Sequence, residues 1–217
     1  MKQSFEFLKQ IKKNNNKEWF EKNKTSYLAC KAEFEKLAQQ VINNTAKFDK
    51  DIAGLDAAKA TFRIYKDVRF SKDKTPYKIN FGAHICPGGK SSPIPGYYFH
   101  LESGNSFLGG GCYMPQADKL AAIRQEIDYN YTDFKKLLSA KEFKKYYNGL
   151  ANEEKLVNPP KGYNKENPAI EVLKNKHFAV MHKFDDKELL KPGFDKYAAS
   201  AFKAMYPFTL FLREAVK

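Results

Sequence analysis

The chain has 217 residues, with 38 Lys and Arg against 25 Asp and Glu, a formal net charge of +13. Hydrophobic residues make up 42% and aromatics 15%, which excludes a disordered chain and allows a substantial core. No stretch has the length needed to cross a bilayer, and the N-terminus lacks an apolar signal core, so no membrane partner is expected and the cytoplasm is the expected location.

Residues 4–13 read as a short amphipathic helix with Phe5, Leu8 and Ile11 on one side. Asn14, Asn15 and Asn16 break it. Asn15 with Glu18 reads as a capping box for a long helix reaching about residue 46, with Phe20, Tyr27, Phe34, Leu37 and Val41 toward the core. Residues 60–65 alternate as a strand, and residues 77–86 alternate again. In the latter, Ile79, Phe81, Ala83 and Ile85 share one face and Lys78, Asn80, Gly82 and His84 the other. Residues 87–96 hold Pro, Gly and Ser and read as an exposed loop. Residues 97–102 form a further strand, with Tyr97, Phe99 and Leu101 inward and Tyr98, His100 and Glu102 outward. A turn at 103–106 leads to a return strand at 106–113.

Pro115 suits the first position of a helix with Leu120, Ile123 and Ile127 buried. Short helices follow over 132–147, with Ser139 and Glu142 as a second capping box. Pro159–Gly162 is a turn, Asn167-Pro168 opens a short helix, and 177–184 fits an edge strand. A helix spans roughly 194–215, where Pro207 is expected to kink or restart it. The expected class is α+β: an antiparallel meander over about residues 60–113 packed against N-terminal and C-terminal helices. Residues 149–167 are the best boundary candidate, but both sides look too incomplete to fold separately, so residues 1–217 are read as a single domain.

The densest polar constellation is 63–78, with six cations and two carboxylates. Such charges are costly to bury unless they pair or meet a ligand. Arg63, Arg69, Lys72 and Lys78 are read as groups that neutralise an anionic ligand. Arg offers a planar fork and Lys a point charge. Asp67 and Asp73 either hold these cations in place or bind Mg²⁺ beside a phosphate. Tyr77, Tyr98 and Tyr113 would shape the pocket, and His100 is the first candidate for proton transfer. Gly110 lies within the run Gly109–Gly111, which in a strand signals a bulge or a close approach by backbone or ligand.

Cys30, Cys86 and Cys112 form no C-x-x-C pair, so no zinc ribbon or thioredoxin motif is supported. His84 and Cys86 share a strand face, with Cys112 as a conceivable third zinc ligand, but no motif spacing supports a metal there. His177 and His182 read as structural or solvent-facing.

Four segments carry a resemblance: FLKQIKKNNNKEWFEKNKTSY at 7–27, FRIYKDVRFSKDKTPYK at 62–78, GYYFHLESGNSFLGGGCYMP at 96–115, and PPKGYNKENPAIEVLKNKHF at 159–178. With these the chain resembles the domain-of-unknown-function 2461 family, a widespread group of uncharacterised bacterial proteins. The family is expected to carry arginine more often at position 66. Lys66 keeps the charge and loses the fork. The resemblance implies one domain and a focus on 63–113, and it implies no activity and no catalytic residue.

Three functions compete on these residues. The leading one is binding of a phosphorylated or otherwise anionic small molecule on a basic, tyrosine-rich sheet face, with turnover as an extension. The second is a nucleic-acid-binding module, in which tyrosines stack bases and cations track phosphates. The third is a structural or partner-binding protein in which 63–78 is an internal brace.

Overall fold

The computed structural model describes residues 1–69, 71–151 and 154–217. The chain opens with helix α1 (Lys2–Lys13), whose Phe5, Leu8 and Ile11 are buried. Asn16, not Asn15, caps the next helix: its side-chain oxygen accepts from the Trp19 amide at 2.9 Å. Asn15 serves a longer-range purpose. Its amide donates to the Tyr77 carbonyl at 2.9 Å and its oxygen accepts from the Tyr77 N–H at 3.0 Å. The expected long helix is interrupted at Asn23, giving α2 (Lys17–Lys22) and α3 (Lys24–Thr45). The Asn23 side chain donates to the Trp19 carbonyl at 2.8 Å, satisfying a group at the end of α2.

Residues 60–65 do not form a strand. Thr61 closes the short helix α4 (Ala57–Ala60), and only isolated bridges follow, Thr61 to Ala83 and Tyr65 to Tyr77. The segment folds back on itself instead, as Lys66 N–H donates to the Pro76 carbonyl and Lys78 N–H to that of Ile64. The result is a strap, made by residues 62–69 and 71–80, fastened by Asn15 and by Tyr77 stacked on Phe20 at 4.0 Å.

The sheet has four antiparallel strands in the order β1-β2-β3-β4: β1 (Phe81–Ile85), β2 (Gly96–Leu101), β3 (Phe107–Cys112) and β4 (Phe178–Lys183). The α+β class holds, while the meander begins at 81 and takes its last strand from beyond residue 113. Between β3 and β4 lie α5 (Ala117–Tyr129), α6 (Tyr131–Ser139), α7 (Lys141–Lys144) and α8 (Ile170–Leu173). Pro115 stands just outside α5, whose N-cap is Gln116. Ser139 and Glu142 form no capping box: the Ser139 hydroxyl donates to the Lys136 carbonyl, and Glu142 pairs with Lys145. After β4 come α9 (Asp186–Leu189) and α10 (Phe194–Ala215), which continues through Pro207.

The alternation in β1 and β2 sorts the two sheet faces. Phe81, Ala83, Ile85, Tyr97, Phe99 and Leu101 are buried. They meet α3 and α10 through contacts such as Phe34–Phe99 (5.1 Å between ring centroids) and Tyr97–Phe202 (4.9 Å). Behind this layer lies an ion pair. Arg213 donates to both oxygens of Asp49 at 3.0 and 2.8 Å, and to the Pro95 carbonyl at 2.9 Å. The Tyr97 hydroxyl donates to Asp49 at 2.8 Å. The side chains of Arg213 and Asp49 are 5% and 0% exposed.

Removing one member leaves a buried charge without its partner, so Arg213→Met is expected to lower unfolding free energy by about 3–5 kcal/mol. Tyr97→Phe removes one hydrogen bond and is expected to cost about 1 kcal/mol. Urea denaturation of the two variants against the parent chain measures both.

Candidate functional site on the outer sheet face

The face of the sheet turned away from α3 and α10 forms the floor of a cavity of about 840 Å³. Cross-strand pairing sets its rows. His84, Tyr98, Gly109 and Met181 lie side by side, and Gly82, His100, Phe107 and Lys183 form the next row. Phe62 and Lys78 from the strap make one wall, Ile94 and Pro95 another, and Tyr113 with His177 a third. Three of the four histidines of the chain, His84, His100 and His177, line this space.

His100 is held at both ring nitrogens. Nε2 lies 3.2 Å from a Glu102 carboxylate oxygen, which can only accept, so the proton sits on Nε2. Nδ1 is then an acceptor, with the Asn80 amide nitrogen at 3.4 Å and the Tyr98 hydroxyl at 3.5 Å. Phe107 stacks on the ring at 4.6 Å. Burial pushes the His100 pKa below its ordinary value, with Glu102 opposing, so the imidazole is neutral near pH 7. Burial also pushes the Tyr98 phenol up to about 12, which keeps it a donor. Gly82 makes room for that hydroxyl, since a Cβ there would stand 2.4 Å from it.

His177 is fixed differently. Its Nδ1 accepts from the Met114 amide at 3.0 Å, which leaves Nε2 as the protonated nitrogen, and its ring packs 4.7 Å from that of Tyr113. Met114 has φ 49, the positive φ of a non-glycine residue at the cavity's edge. His84 is driven to the neutral form by burial, with Nδ1 3.6 Å from the Cys86 sulfur. Burial raises the Cys86 and Cys112 thiols to about 11, so both stay protonated. Among the described residues no three His, Cys, Asp or Glu side chains are grouped so as to hold a metal ion.

A family model described as "Conserved hypothetical protein (DUF2461)" matches residues 3–211. The chain belongs to the DUF2461 family. No curated protein and no solved structure matches it.

In this DUF2461 protein the residues anticipated from the sequence divide into two groups. Lys78, Tyr98, His100, Asp67, Tyr113 and Gly110 line the cavity. Lys78 Nζ lies 5.2 Å over the Phe62 ring and donates to the Arg63 carbonyl at 3.1 Å. Burial, and then the Arg63 charge, lower its pKa. Gly110 contributes backbone only, because a Cβ would point toward α10, 2.3 Å from the Gly96 carbonyl and 2.5 Å from the Met205 methyl.

Arg63, Arg69, Lys72, Asp73 and Tyr77 do not line it. Tyr77 is 3% exposed and belongs to the core against Phe20, so it cannot shape the pocket directly. At the strap's tip Arg69 donates to both Asp67 oxygens at 3.0 and 2.7 Å. Asp73 takes the Lys66 ammonium and the Thr75 N–H and hydroxyl, which hold its carboxyl well below the usual carboxylate range. These pairs brace a turn. Sequence reasoning missed Asn80 and His177 as site groups. Glu102 sits on the outward row with Tyr98 and His100, so the period-2 pattern already placed it there. His177 carried no such signal.

Gly110→Ala drives a methyl group into backbone and is expected to cost about 1–3 kcal/mol in urea denaturation. The lowered folded-state pKa values of His84 and His100 mean the unfolded chain binds more protons. Their contribution is full above the ordinary value of 6.5 and declines as pH falls from there toward the folded values. Stability is therefore expected to drop between about pH 7.5 and pH 5.5, with a shallower drop in His84→Gln.

Proposed function

We propose that the outer-face cavity binds a small molecule bearing a phosphate or carboxylate, with Lys78 at the anionic group. The observation that carries this reading is a half-buried ammonium at the wall of an otherwise largely apolar and aromatic cavity of about 840 Å³. That volume is within the range of small-molecule sites, and a few polar groups on an apolar lining are their usual chemistry. Tyr98, Tyr113, Phe62 and Phe107 offer ring surfaces to the ligand body, while Asn80, His100 and His177 offer polar contacts.

The reading assigns Asp67, Asp73, Arg69 and Lys66 to bracing the strap rather than to Mg²⁺ or ligand, since their charges already meet one another. The walls raised by the strap and by residues 92–95 favour a compact ligand over a nucleic-acid polymer, which needs an open track. Among the described residues no helix is long and apolar enough to cross a membrane. The three cysteines are buried and unpaired, which suits a reducing cytoplasm.

A thermal-shift series with inorganic phosphate, sugar phosphates, dicarboxylates and short single-stranded RNA tests the reading, because binding to the folded state raises stability by mass action. A small anion is expected to raise the midpoint, and Lys78→Ala is expected to weaken its affinity about tenfold, or about 1.4 kcal/mol. A shift that ignores Lys78→Ala sinks the assignment. Shifts confined to RNA at low salt favour the nucleic-acid reading.

A further inference from the structure

We propose that His100 and Glu102 form a general-base dyad, and that its substrate is a small carbonyl compound with a C–H beside the carbonyl and a phosphate or carboxylate at the Lys78 end. The inference rests on the cavity being a ligand site and adds what is done there. Glu102 fixes the proton on Nε2, so the lone pair of Nδ1 is the basic position of the ring. That lone pair belongs to a cavity-lining side chain. Two donors, the Asn80 amide at 3.4 Å and the Tyr98 hydroxyl at 3.5 Å, flank it at distances long for hydrogen bonds. A base between two weakly engaged donors can meet a C–H while the donors meet the neighbouring oxygen. Catalytic hydrogen bonds are commonly long before substrate binds.

The groups facing His100 are Tyr98 on its own strand, Glu102 just after that strand, Asn80 from the segment before β1, and the Phe107 ring on β3. Glu102 is the one charged group among them. Its side also borders a smaller hollow of about 310 Å³ lined by Lys9, Lys12 and Lys13. In the reaction the C–H bond breaks and the proton moves to Nδ1. The electron pair forms a carbon–carbon double bond as the carbonyl pair shifts to oxygen, and Tyr98 and Asn80 donate to that enolate oxygen. The imidazolium is stabilised by Glu102. Returning a proton from the solvent-exchanged imidazolium to the same carbon regenerates the substrate, with nothing oxidised and no co-reactant consumed. His100 is the catalytic residue, and Glu102 is a positioning residue.

Deuterium wash-in followed by proton NMR tests this, with the full chain in D₂O and dihydroxyacetone phosphate, pyruvate and oxaloacetate as probes. Saturation-transfer difference spectra on the same samples report binding. Exchange of a probe's C–H above the buffer rate is expected, falling about 100-fold or more in His100→Gln, as loss of a general base implies. Circular dichroism establishes that the variants are folded. Glu102→Gln keeps an acceptor for Nε2–H but removes the charge that raises the His100 pKa. The midpoint of the exchange–pH profile should then move to lower pH, a shift that a merely structural Glu102 would not produce. Saturation transfer without exchange overturns the dyad and leaves the binding reading intact. Exchange undiminished in His100→Gln overturns the dyad as well. Neither binding nor exchange by any probe overturns both.

Discussion

A charged pair buried behind the sheet orders much of the molecule. Arg213 near the end of α10 and Asp49 after α3 are more than a hundred residues apart in sequence, yet neither side chain can be left in the interior alone. Their pairing locks the two long helices that cover the inner sheet face. The same guanidinium holds the Pro95 carbonyl, and the same carboxylate holds the Tyr97 hydroxyl. Pro95 is a wall of the cavity, and Tyr97 is the neighbour of Tyr98 on β2. The inner pair therefore anchors the start of β2 from the core side, with Tyr97 inward and Tyr98 on the opposite face.

An antiparallel sheet with one face on a core ordinarily shows water the other. Here the second face is walled by the strap, the loop before β2 and the segment around Met114, and the result is a cavity rather than a surface. Small residues make this possible. Gly82 clears space for the Tyr98 hydroxyl, and Gly110 lets α10 and a neighbouring strand approach the backbone. The charge cluster at 63–78 serves this arrangement indirectly. Lys66 with Asp73 and Arg69 with Asp67 pair and hold the strap's shape, while Lys78 stands at the cavity wall.

How much of this was legible varies by element. The faces of β1 and β2 were, because a period of two with apolar residues on one side admits one way of burying them. The same logic failed at 60–65, where apolar alternation was present but Thr61 closes a helix and Tyr65 pairs with Tyr77 of its own strap. Asn15 and Asn16 both had the chemistry of a cap. Only the position of Tyr77, sixty-two residues on, decided that Asn16 would cap while Asn15 fastened the strap.

The site shows the same division. Tyr98, His100 and Glu102 were placed on one row by the sequence alone, since alternate residues of a strand share a face regardless of what packs around it. Family membership was also legible from the motifs. Tertiary structure alone decided that Tyr77 belongs to the core, that Arg69 and Asp73 close ion pairs, and that His177 faces the cavity shared by His84 and His100. Local pattern is set by the geometry of neighbouring peptide units. Which charge finds which partner depends on segments brought together only when the whole core is buried, and no local period records that.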